Sequence, residues 1–431
     1  MIIKKNQKNF RRFFNPVAEE IPQAMSIRFN QMVYERKQAG KDVIVLSLGE
    51  AFFDIPLFDF NALEYVKGYH YSESQGIPEL RNKIAMYYKK HYGVGVNPDT
   101  EILISAGSKA LIFMSMLSLV QSNEEILLHE PCWLSYPEQA RLCGVRPRFI
   151  PHDVSIRGFE KYITPKTRMI LLNNPNNPAG NVYPAVDMQW LARLCLERGI
   201  YLLVDEAYSD FVLDRSFTSV GRFSPGKENI LIINSLSKNM GISGWRIGYA
   251  IAHPEVIQIL LKVNQHIITC APTILLMYCA KYFDKILKHT LPQARAVVRR
   301  RQKIEKILER LKMKALPGGA TFYFFISIGK YPGTSLDFAT ELLNKYGVSV
   351  VPGFAYGKSM DRFIRVSIGA ESDERIWMGL ERVHKVITET KVSGVVFTAE
   401  QALESERNPK PVKISHSHKT GAKKGIFLSR R

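Results

Sequence analysis

The sequence predicts an α/β protein with one large, mostly parallel sheet and a smaller α+β domain. Between residues 101 and 235, short apolar runs alternate with amphipathic stretches of helical length. After residue 285 a long basic amphipathic stretch and shorter strand-like pieces follow. The predicted organisation is a basic N-terminal extension (1–20), a large domain (44–285), a small domain (21–43 with 286–392) and a basic, disordered tail (393–431).

Five short runs rich in Ile, Leu or Val are predicted to be strands of the large sheet: 101–105, 125–129, 168–173, 201–205 and 229–235. Because they are apolar on both faces, they favour a buried parallel sheet. Helices are predicted at 109–120 and 186–198, between those strands. The other predicted elements are helices at 26–39 and 291–314, and strands at 321–327, 348–351 and 363–367.

The composition is that of an ordinary globular protein. Of 431 residues, 46% are hydrophobic and 23% charged, which excludes collagen, coiled coil and whole-chain disorder. No apolar stretch approaches the roughly 20 residues of a transmembrane helix. Five scattered cysteines without CxxC spacing argue against a disulfide framework or a zinc site, so we expect no metal. The first residues do not resemble a secretory signal, and we expect a cytoplasmic protein.

The formal charge of +19 is concentrated at the two ends of the chain. Residues 1–15 contain five basic side chains and residues 407–431 contain eight, with no acidic side chain in either segment. Without these thirteen the excess of basic over acidic residues falls to +6. We therefore expect solvated ends rather than a nucleic-acid or membrane partner.

Ligands of open α/β sheets bind at the carboxyl ends of the strands. Gly107, Ser108 and Lys109 follow the first predicted strand and open a helix, where backbone N–H groups face anions such as phosphate. Asn177 lies in a turn that two prolines and a glycine make rigid. Asp205 ends a buried strand, where a carboxylate requires a cationic partner.

Lys238 follows the fifth predicted strand. Desolvation there lowers the pKa of an amine and favours its neutral, nucleophilic form. Ser235, Ser237 and Arg246 are near enough in sequence to supply anion contacts. Each signal alone is also typical of a structural role: a tight turn, a capping Asn, a buried ion pair, a buried lysine. Four such signals at strand ends, in this order, predict one site.

Together the motifs resemble the class I/II aminotransferases, which are fold-type I pyridoxal-phosphate (PLP) enzymes. The resemblance runs from about residue 21 to about residue 387 and is strongest to the bacterial aspartate/prephenate subgroup. The motifs that carry it are Leu46-Ser47-Leu48-Gly49-Glu50, Tyr71 with Gln75-Gly76-Ile77-Pro78-Glu79-Leu80-Arg81, Asn177-Pro178-Ala179-Gly180, Asp205-Glu206-Ala207-Tyr208, Ser235-Leu236-Ser237-Lys238 and Phe363-Ile364-Arg365-Val366-Ser367.

The resemblance implies PLP as the cofactor and a role for each residue type. Lys238 would form the internal Schiff base and then move a proton during the reaction. Asp205 would pair with the pyridinium nitrogen, while Asn177 and Tyr208 would bind the phenolic oxygen. The phosphate would be bound by Gly107, Ser108, Lys109, Ser235, Ser237 and Arg246.

The resemblance also implies the substrate contacts and the assembly. Trp133 would stack on the cofactor ring, and Arg365 would bind the substrate α-carboxylate. Gly49 would approach the substrate through its backbone, and Asn177 would also contact it. Tyr71 matches a tyrosine that reaches the phosphate of the neighbouring subunit, so a homodimer with shared active sites is expected.

The implied reaction is transfer of an amino group between an L-amino acid and a 2-oxo acid, with 2-oxoglutarate as the expected acceptor. One alternative is a PLP-dependent lyase, cyclase or oxidase, since the same Lys, Asp and Arg serve those reactions too. Another is a non-catalytic binding protein. That alternative predicts loss of Lys238 or Asp205, and both are present.

The substrate side chain is less well specified. Lys109 matches a lysine that meets a distal carboxylate in the aspartate/prephenate subgroup, which favours a dicarboxylic partner. The alternative is that Lys109 faces phosphate or solvent. Ala51 and Phe52 replace the usual Pro-Asp pair, and His70 with Glu73 would suit a basic or polar donor instead.

Overall fold

The computed structural model describes residues 14–213 and 217–389. Its strands are β1 Ile44–Val45, β2 Ile102–Ser105, β3 Glu125–His129, β4 Arg146–Ile150, β5 Thr167–Asn173, β6 Tyr201–Asp205, β7 Ile230–Ser235, β8 Gly248–Ile251, β9 Tyr323–Ser327, β10 Val348–Ser349, β11 Val351–Pro352 and β12 Phe363–Ser367. Its α-helices are α1 Pro16–Glu20, α2 Met25–Gln38, α3 Tyr65–Gly68, α4 Pro78–Tyr92, α5 Ser108–Leu119, α6 Ser135–Leu142, α7 Ala185–Glu197, α8 Leu236–Asn239, α9 Pro254–Ile267, α10 Thr273–Arg310, α11 Ser335–Tyr346 and α12 Asp373–Glu389.

A seven-stranded sheet forms the centre of the larger part, in the order β2-β8-β7-β6-β5-β3-β4. Strands β3 to β7 are mutually parallel, and β8 runs antiparallel to both β2 and β7. The carboxyl ends of β5, β6 and β7 therefore meet at one edge of the sheet, as the α/β prediction requires. The α/β class and the mostly parallel sheet are confirmed.

Two strands of this sheet have no counterpart among the predicted ones. Strand β4 contains two arginines and a proline in five residues and lies at the edge, so its apolar pattern is weak. Strand β8 has only four residues and begins at Gly248. Short edge strands and glycine-initiated strands give little periodic signal.

A second, antiparallel sheet has the order β11-β12-β9, and β1 pairs in parallel with β10. The single strand predicted at 348–351 is wrong, because the chain passes from one sheet to the other there. Phe29 and Val33 of α2 pack in the same core as Phe338 of α11. This core lies behind the antiparallel sheet and fixes the position of β12.

Helix α10 contains 38 residues and runs without a break across the predicted domain boundary at residue 285. The division into large and small domains thus falls inside one helix, and its limits stay a prediction. Residues 1–13 of the predicted N-terminal extension and all of the predicted tail (393–431) lie outside the described residues. Within the described part, no helix is long and apolar enough to cross a membrane.

Candidate active site

Lys238 lies in α8, one short turn beyond the end of β7. Its Nζ donates a hydrogen bond to the carbonyl oxygen of Gly49 at 2.6 Å. Desolvation lowers the pKa of Lys238 to about 8, with Glu50 acting against this shift and Arg365 reinforcing it. With this pKa about a tenth of the amine is neutral at pH 7, far more than for an ordinary lysine.

Asp205 is the last residue of β6 and is buried. Its Oδ2 accepts a hydrogen bond from the Tyr136 hydroxyl at 2.7 Å, and its Oδ1 accepts one from the Ala207 N–H at 3.1 Å. Burial raises the pKa of Asp205 to about 6, although both hydrogen bonds oppose the shift. Within the described residues no lysine or arginine forms an ion pair with it. A buried carboxylate without an ion pair favours a ligand that brings a positively charged group.

The turn after β5 uses its asparagines in two ways. The side chains of Asn173 and Asn176 accept hydrogen bonds from the N–H groups of Asn177 (2.6 Å) and Ala179 (3.0 Å), so these two cap the turn. The Asn177 amide instead donates from Nδ2 to the Tyr208 hydroxyl at 3.2 Å. The rigid turn thus directs one amide into the site.

Arg365 lies in the middle of β12 and is buried. Its Nη2 donates to the Ser47 carbonyl at 2.6 Å and its Nη1 to Oδ1 of Asn177 at 3.3 Å. The guanidinium carbon is 4.6 Å from the ring centre of Tyr323 and 5.6 Å from that of Tyr356. The Nε atom has no hydrogen-bond partner among the described residues. This guanidinium is therefore positioned with one donor still available.

Gly107 precedes α5 and has a φ of 89°, a conformation that favours glycine. A Cβ at this position would lie 2.6 Å from Nη2 of Arg246, and one at Gly248 would lie 2.4 Å from the Ser108 nitrogen. Arg246 is fixed by a hydrogen bond from its Nη1 to the Ser243 carbonyl at 2.7 Å. Because Gly107 and Gly248 have no side chains, the Arg246 guanidinium can lie against the N-terminus of α5. A guanidinium beside a helix N-terminus suits a phosphate.

Strand β8 explains how the serines join this group. Gly248 pairs with Ser105 on one side and with Ser235 on the other. The end of β7 is thereby placed beside the turn that precedes α5. Ser235 and Ser237 are both buried in this region and lie three residues and one residue before Lys238, respectively.

Lys109 and Trp133 contact each other. The Lys109 Nζ is 5.0 Å from the centre of the Trp133 ring, and Trp133 packs edge-on against Tyr136 at 5.3 Å. Burial lowers the pKa of Lys109, and the charge of Arg246 adds to the effect. A cation on an indole face is stabilised by the ring quadrupole, and Lys109 as a whole is exposed. This position is compatible with each of the predicted alternatives, which are contact with the substrate, with the phosphate or with solvent.

Tyr71 is the one predicted site residue that lies apart from this cluster. Its side chain is 84% exposed. The neighbouring Val66 and Tyr69 are also largely exposed, at 72% and 78%. Among the described residues, no hydrogen bond or ring contact joins the Tyr71 side chain to the residues of this site.

Two contact residues were not predicted from the sequence. Tyr136, which donates to Asp205, lies three residues after Trp133, and no site role was inferred for it. Tyr323 lies 2.9 Å, hydroxyl to hydroxyl, from Tyr208. It is within the predicted strand 321–327, where an aromatic residue is typical of core packing.

The family model "Aminotransferase class I and II" matches residues 45–383 of this chain. The match covers well over half of the sequence and includes every strand from β2 to β12. The chain belongs to the class I and II aminotransferase family. It is accordingly a transaminase of the fold-type I architecture, and PLP is its cofactor, as predicted.

Individual relatives agree with this assignment. The chain is 33% identical over 380 residues to a probable aspartate/prephenate aminotransferase of Aquifex aeolicus, covering 82% of this chain and 93% of that one. It is 30% identical over 380 residues to aromatic-amino-acid aminotransferase 2 of Thermococcus litoralis, covering 84% and 95%. Among solved structures, the aspartate aminotransferase of Thermus thermophilus with maleate matches with a TM-score of 0.79 and 28% identity, covering 86% and 99%.

The residues of this chain fit PLP on structural grounds. The space at Gly107, which a Cβ would fill, lies against Arg246 and suits the phosphate. The buried carboxylate of Asp205 forms no ion pair within the described residues and suits a ring N–H. Lys238 lies between Asp205 and Arg246 in the sequence, and its amine has a lowered pKa.

Proposed function

We propose that this transaminase moves an amino group from a dicarboxylic L-amino acid to 2-oxoglutarate, with PLP attached to Lys238. One observation carries the proposal. The Lys238 amine, the Asp205 carboxylate and the Asn177–Tyr208 pair lie at adjacent strand ends, with Arg365 within hydrogen-bond distance of Asn177. Chemistry at Cα and recognition of the carboxylate attached to it then share one site.

When bound, PLP withdraws electrons from the substrate Cα and so acidifies its C–H bond. In the proposed mechanism the neutral amine of Lys238 would accept the Cα proton at Nζ and would return it to carbon C4′ of the cofactor. A pKa of about 8 matches this task, because a general base works best near the operating pH. The hydrogen bond to the Gly49 carbonyl orients the amine before the proton moves.

Asp205 would bind the protonated ring nitrogen. A cation beside it would return the pKa of Asp205 toward its ordinary range, since the attraction offsets the cost of burial. Tyr136 and the Ala207 N–H keep the carboxylate oriented. Asn177 and Tyr208, which are hydrogen-bonded to each other, would bind the phenolic oxygen.

Arg365 would bind the substrate α-carboxylate with its guanidinium fork, which a lysine does not reproduce. Exchange of its contacts with the Ser47 carbonyl and Asn177 for a carboxylate would increase the charge-assisted bonding. Trp133 would cover the ring and exclude water. Both residues would orient the Cα–H bond rather than react.

Lys109 would bind the distal carboxylate of the substrate. Lys109 is an exposed residue, and its Nζ is 5.0 Å from the ring centre of Trp133, the residue proposed to stack on the cofactor. A desolvated cation at that point favours an anionic substrate side chain. The printed names of two relatives, aspartate/prephenate and aspartate aminotransferase, are consistent with such a substrate.

The test is a half-reaction panel. The PLP-loaded protein is mixed with each of the twenty amino acids, and conversion of the cofactor to its amine form is followed by absorbance. Aspartate and glutamate should respond best, and that preference should disappear in Lys109→Met, which retains the aliphatic stem. Aromatic donors provide the control, because their rates should change little in the same variant. Silence of both dicarboxylates with a response from a basic or aromatic donor would refute the proposal for Lys109. Release of ammonia without the amine form would indicate a lyase or oxidase instead.

We further infer a homodimer in which Tyr71 of each chain completes the phosphate site of the other. The exposure of Tyr71 and its apolar neighbours supports this inference, because such a patch favours a partner surface. Leu57, at 90% exposure, and Phe52, at 63%, belong to the same stretch of chain.

Hybrid dimers test the shared site. Tyr71→Ala and Lys238→Ala chains should each be strongly impaired as homodimers. After unfolding and refolding together, half of the dimers should be hybrids with one intact site, restoring roughly a quarter of the wild-type activity. A fully active monomer in sedimentation would contradict the inference, as would mixtures that remain inactive.

A further inference from the structure

Tyr323 contacts both functional halves of the site. Its hydroxyl oxygen is 2.9 Å from that of Tyr208, and its ring lies against the Arg365 guanidinium at 4.6 Å. The side chain is fully buried. A Cβ on Gly49 would lie 3.4 Å from the Tyr323 hydroxyl, so this hydroxyl also borders the backbone that accepts the Lys238 hydrogen bond.

The position of Tyr323 is fixed by main-chain contacts as well. The Thr321 N–H donates to the Phe211 carbonyl at 2.9 Å, and the Tyr323 N–H donates to Oγ1 of Thr321 at 3.3 Å. Phe211 lies three residues after Tyr208. The two segments that carry the tyrosines are therefore joined through backbone as well as through their hydroxyls.

A count of donors gives the contact a direction. A tyrosine hydroxyl has one proton to donate and can accept from other donors. The Tyr208 oxygen already accepts from Nδ2 of Asn177. Burial raises the pKa of both Tyr208 and Tyr323, so both keep their protons. If Tyr208 gives its single proton to the cofactor, the hydrogen bond between the tyrosines requires Tyr323 as the donor.

We propose that Tyr323 is a positioning residue: by donating to the Tyr208 oxygen, it directs the Tyr208 proton toward the cofactor phenolic oxygen and strengthens that hydrogen bond. The inference rests on the proposed function, which gives Tyr208 its contact with the cofactor. Successive hydrogen bonds polarise one another in a low-dielectric site, so a hydroxyl that accepts two is a better donor.

Other charged groups face the two tyrosines and have to be kept constant in any test. Arg365 faces both, Asp205 faces Tyr208, and Glu50 faces Tyr323. Lys238 lies 5.8 Å from the centre of the Tyr208 ring. A variant that removes only the Tyr323 hydroxyl leaves each of these charges in place.

The experiment is a spectroscopic pH titration of Tyr323→Phe with PLP attached to Lys238. A weaker donor at Tyr208 leaves more negative charge on the phenolic oxygen, which retains the proton on the linked lysine nitrogen. The midpoint of the absorbance change should therefore rise by about half a pH unit. Tyr323→Met, which also lacks the hydroxyl, should shift the midpoint in the same direction.

Two controls separate this role from simple packing. Tyr356→Phe removes the buried hydroxyl of the other tyrosine whose ring lies near Arg365, at 5.6 Å. This hydroxyl has no hydrogen-bond partner among the described residues, and its removal should leave the midpoint unchanged. In a Tyr208→Phe background, Tyr323→Phe should not shift the midpoint further, because the Tyr208 hydroxyl through which Tyr323 acts is already missing. An unchanged midpoint in Tyr323→Phe, or a shift that persists without the Tyr208 hydroxyl, would overturn the proposal.

Failure of the proposed function would look different. Borohydride reduction should fix the cofactor covalently on Lys238 in the wild-type protein and in Tyr323→Phe alike. If the label maps to another lysine, the proposed site is wrong. If it maps to Lys238 and the midpoints coincide, only the role of Tyr323 is refuted.

Discussion

The two sheets contribute to the site in different ways. The parallel sheet supplies Asp205 and Lys238 from strand ends and the turns that follow them, where the backbone leaves the core. The antiparallel sheet supplies Arg365 and Tyr323 from within strands β12 and β9. Arg365 pairs in register with Phe325 on one side and Val351 on the other.

This difference separates reaction from recognition. Residues in turns are bordered by backbone groups and a helix N-terminus, which suits an anionic cofactor and a mobile amine. A side chain in mid-strand is fixed by neighbours on both sides, which suits a fork that has to orient a substrate. Lys238 represents the parallel-sheet edge and Arg365 represents the antiparallel sheet. Glu206, the residue after Asp205, lies at the parallel-sheet edge as well.

The largest expected effect is that of Lys238→Ala. Loss of the amine removes both the attachment point and the proposed base, so turnover should fall by at least about 10⁴-fold. Because burial of the Lys238 amine is energetically costly, the cofactor-free variant should remain folded, with a Tm equal to or slightly above that of the cofactor-free wild type. Steady-state assays with thermal unfolding check both points. Substantial residual activity would show that another group moves the proton.

Arg365→Ala should lower kcat/KM by about 10² to 10³-fold, because a charged partner of the α-carboxylate is lost. Both kcat and KM should worsen, since orientation of the Cα–H bond is lost as well. Amines without a carboxylate should be nearly indifferent. Arg362→Ala is the matched control, because the Arg362 guanidinium binds backbone carbonyls, including that of Gly333 at 2.8 Å. Equal losses on acids and simple amines would contradict the assignment.

The smallest effect concerns Glu206, which is fully buried beside Asp205. Burial raises the pKa of Glu206 to about 8, while hydrogen bonds from the Val220 N–H and the Tyr88 hydroxyl oppose the shift. Because the folded state binds the Glu206 proton more tightly than the unfolded state, this proton stabilises the fold. The contribution is fully present below the unfolded-state pKa of 4.5 and is lost as the pH rises through 8.

Glu206→Gln cannot ionise, so its stability relative to wild type should increase between pH 5 and pH 9, by about 1–3 kcal/mol. Denaturant unfolding of the cofactor-free proteins at both pH values measures this difference. Glu197→Gln, on the exposed end of α7, should show no such trend. A pH-independent difference for Glu206→Gln would mean that the carboxyl group is ionised throughout.

Much of the parallel-sheet half of the site follows from the sequence. Strands β3 and β6 have their predicted bounds, because an apolar run closed by a polar residue leaves little choice of register. Asp205 and Lys238 follow from the rule that ligands bind at strand ends. In the antiparallel half, Arg365 was identified only through resemblance, since nothing in its local pattern distinguishes a mid-strand arginine from an edge charge.

Long-range pairing explains what could not be predicted. The contact of Tyr323 with Tyr208 joins residues 115 positions apart, and no periodicity encodes it. The insertion of β8 between β2 and β7 is of the same kind. The roles of the individual site residues and the limits of the domains remain predictions for the experiments above.

The antiparallel strand β8 has a consequence for the order in which the protein is made. Gly248 must lie against the Gly107–Ser108 turn before the N-terminus of α5 and Arg246 face one another. A nascent chain that ends before Ile251 thus contains every strand from β1 to β7 but lacks the anion site. Because a ligand that binds only the native form stabilises it by mass action, PLP can begin to protect the chain only after this strand has emerged from the ribosome.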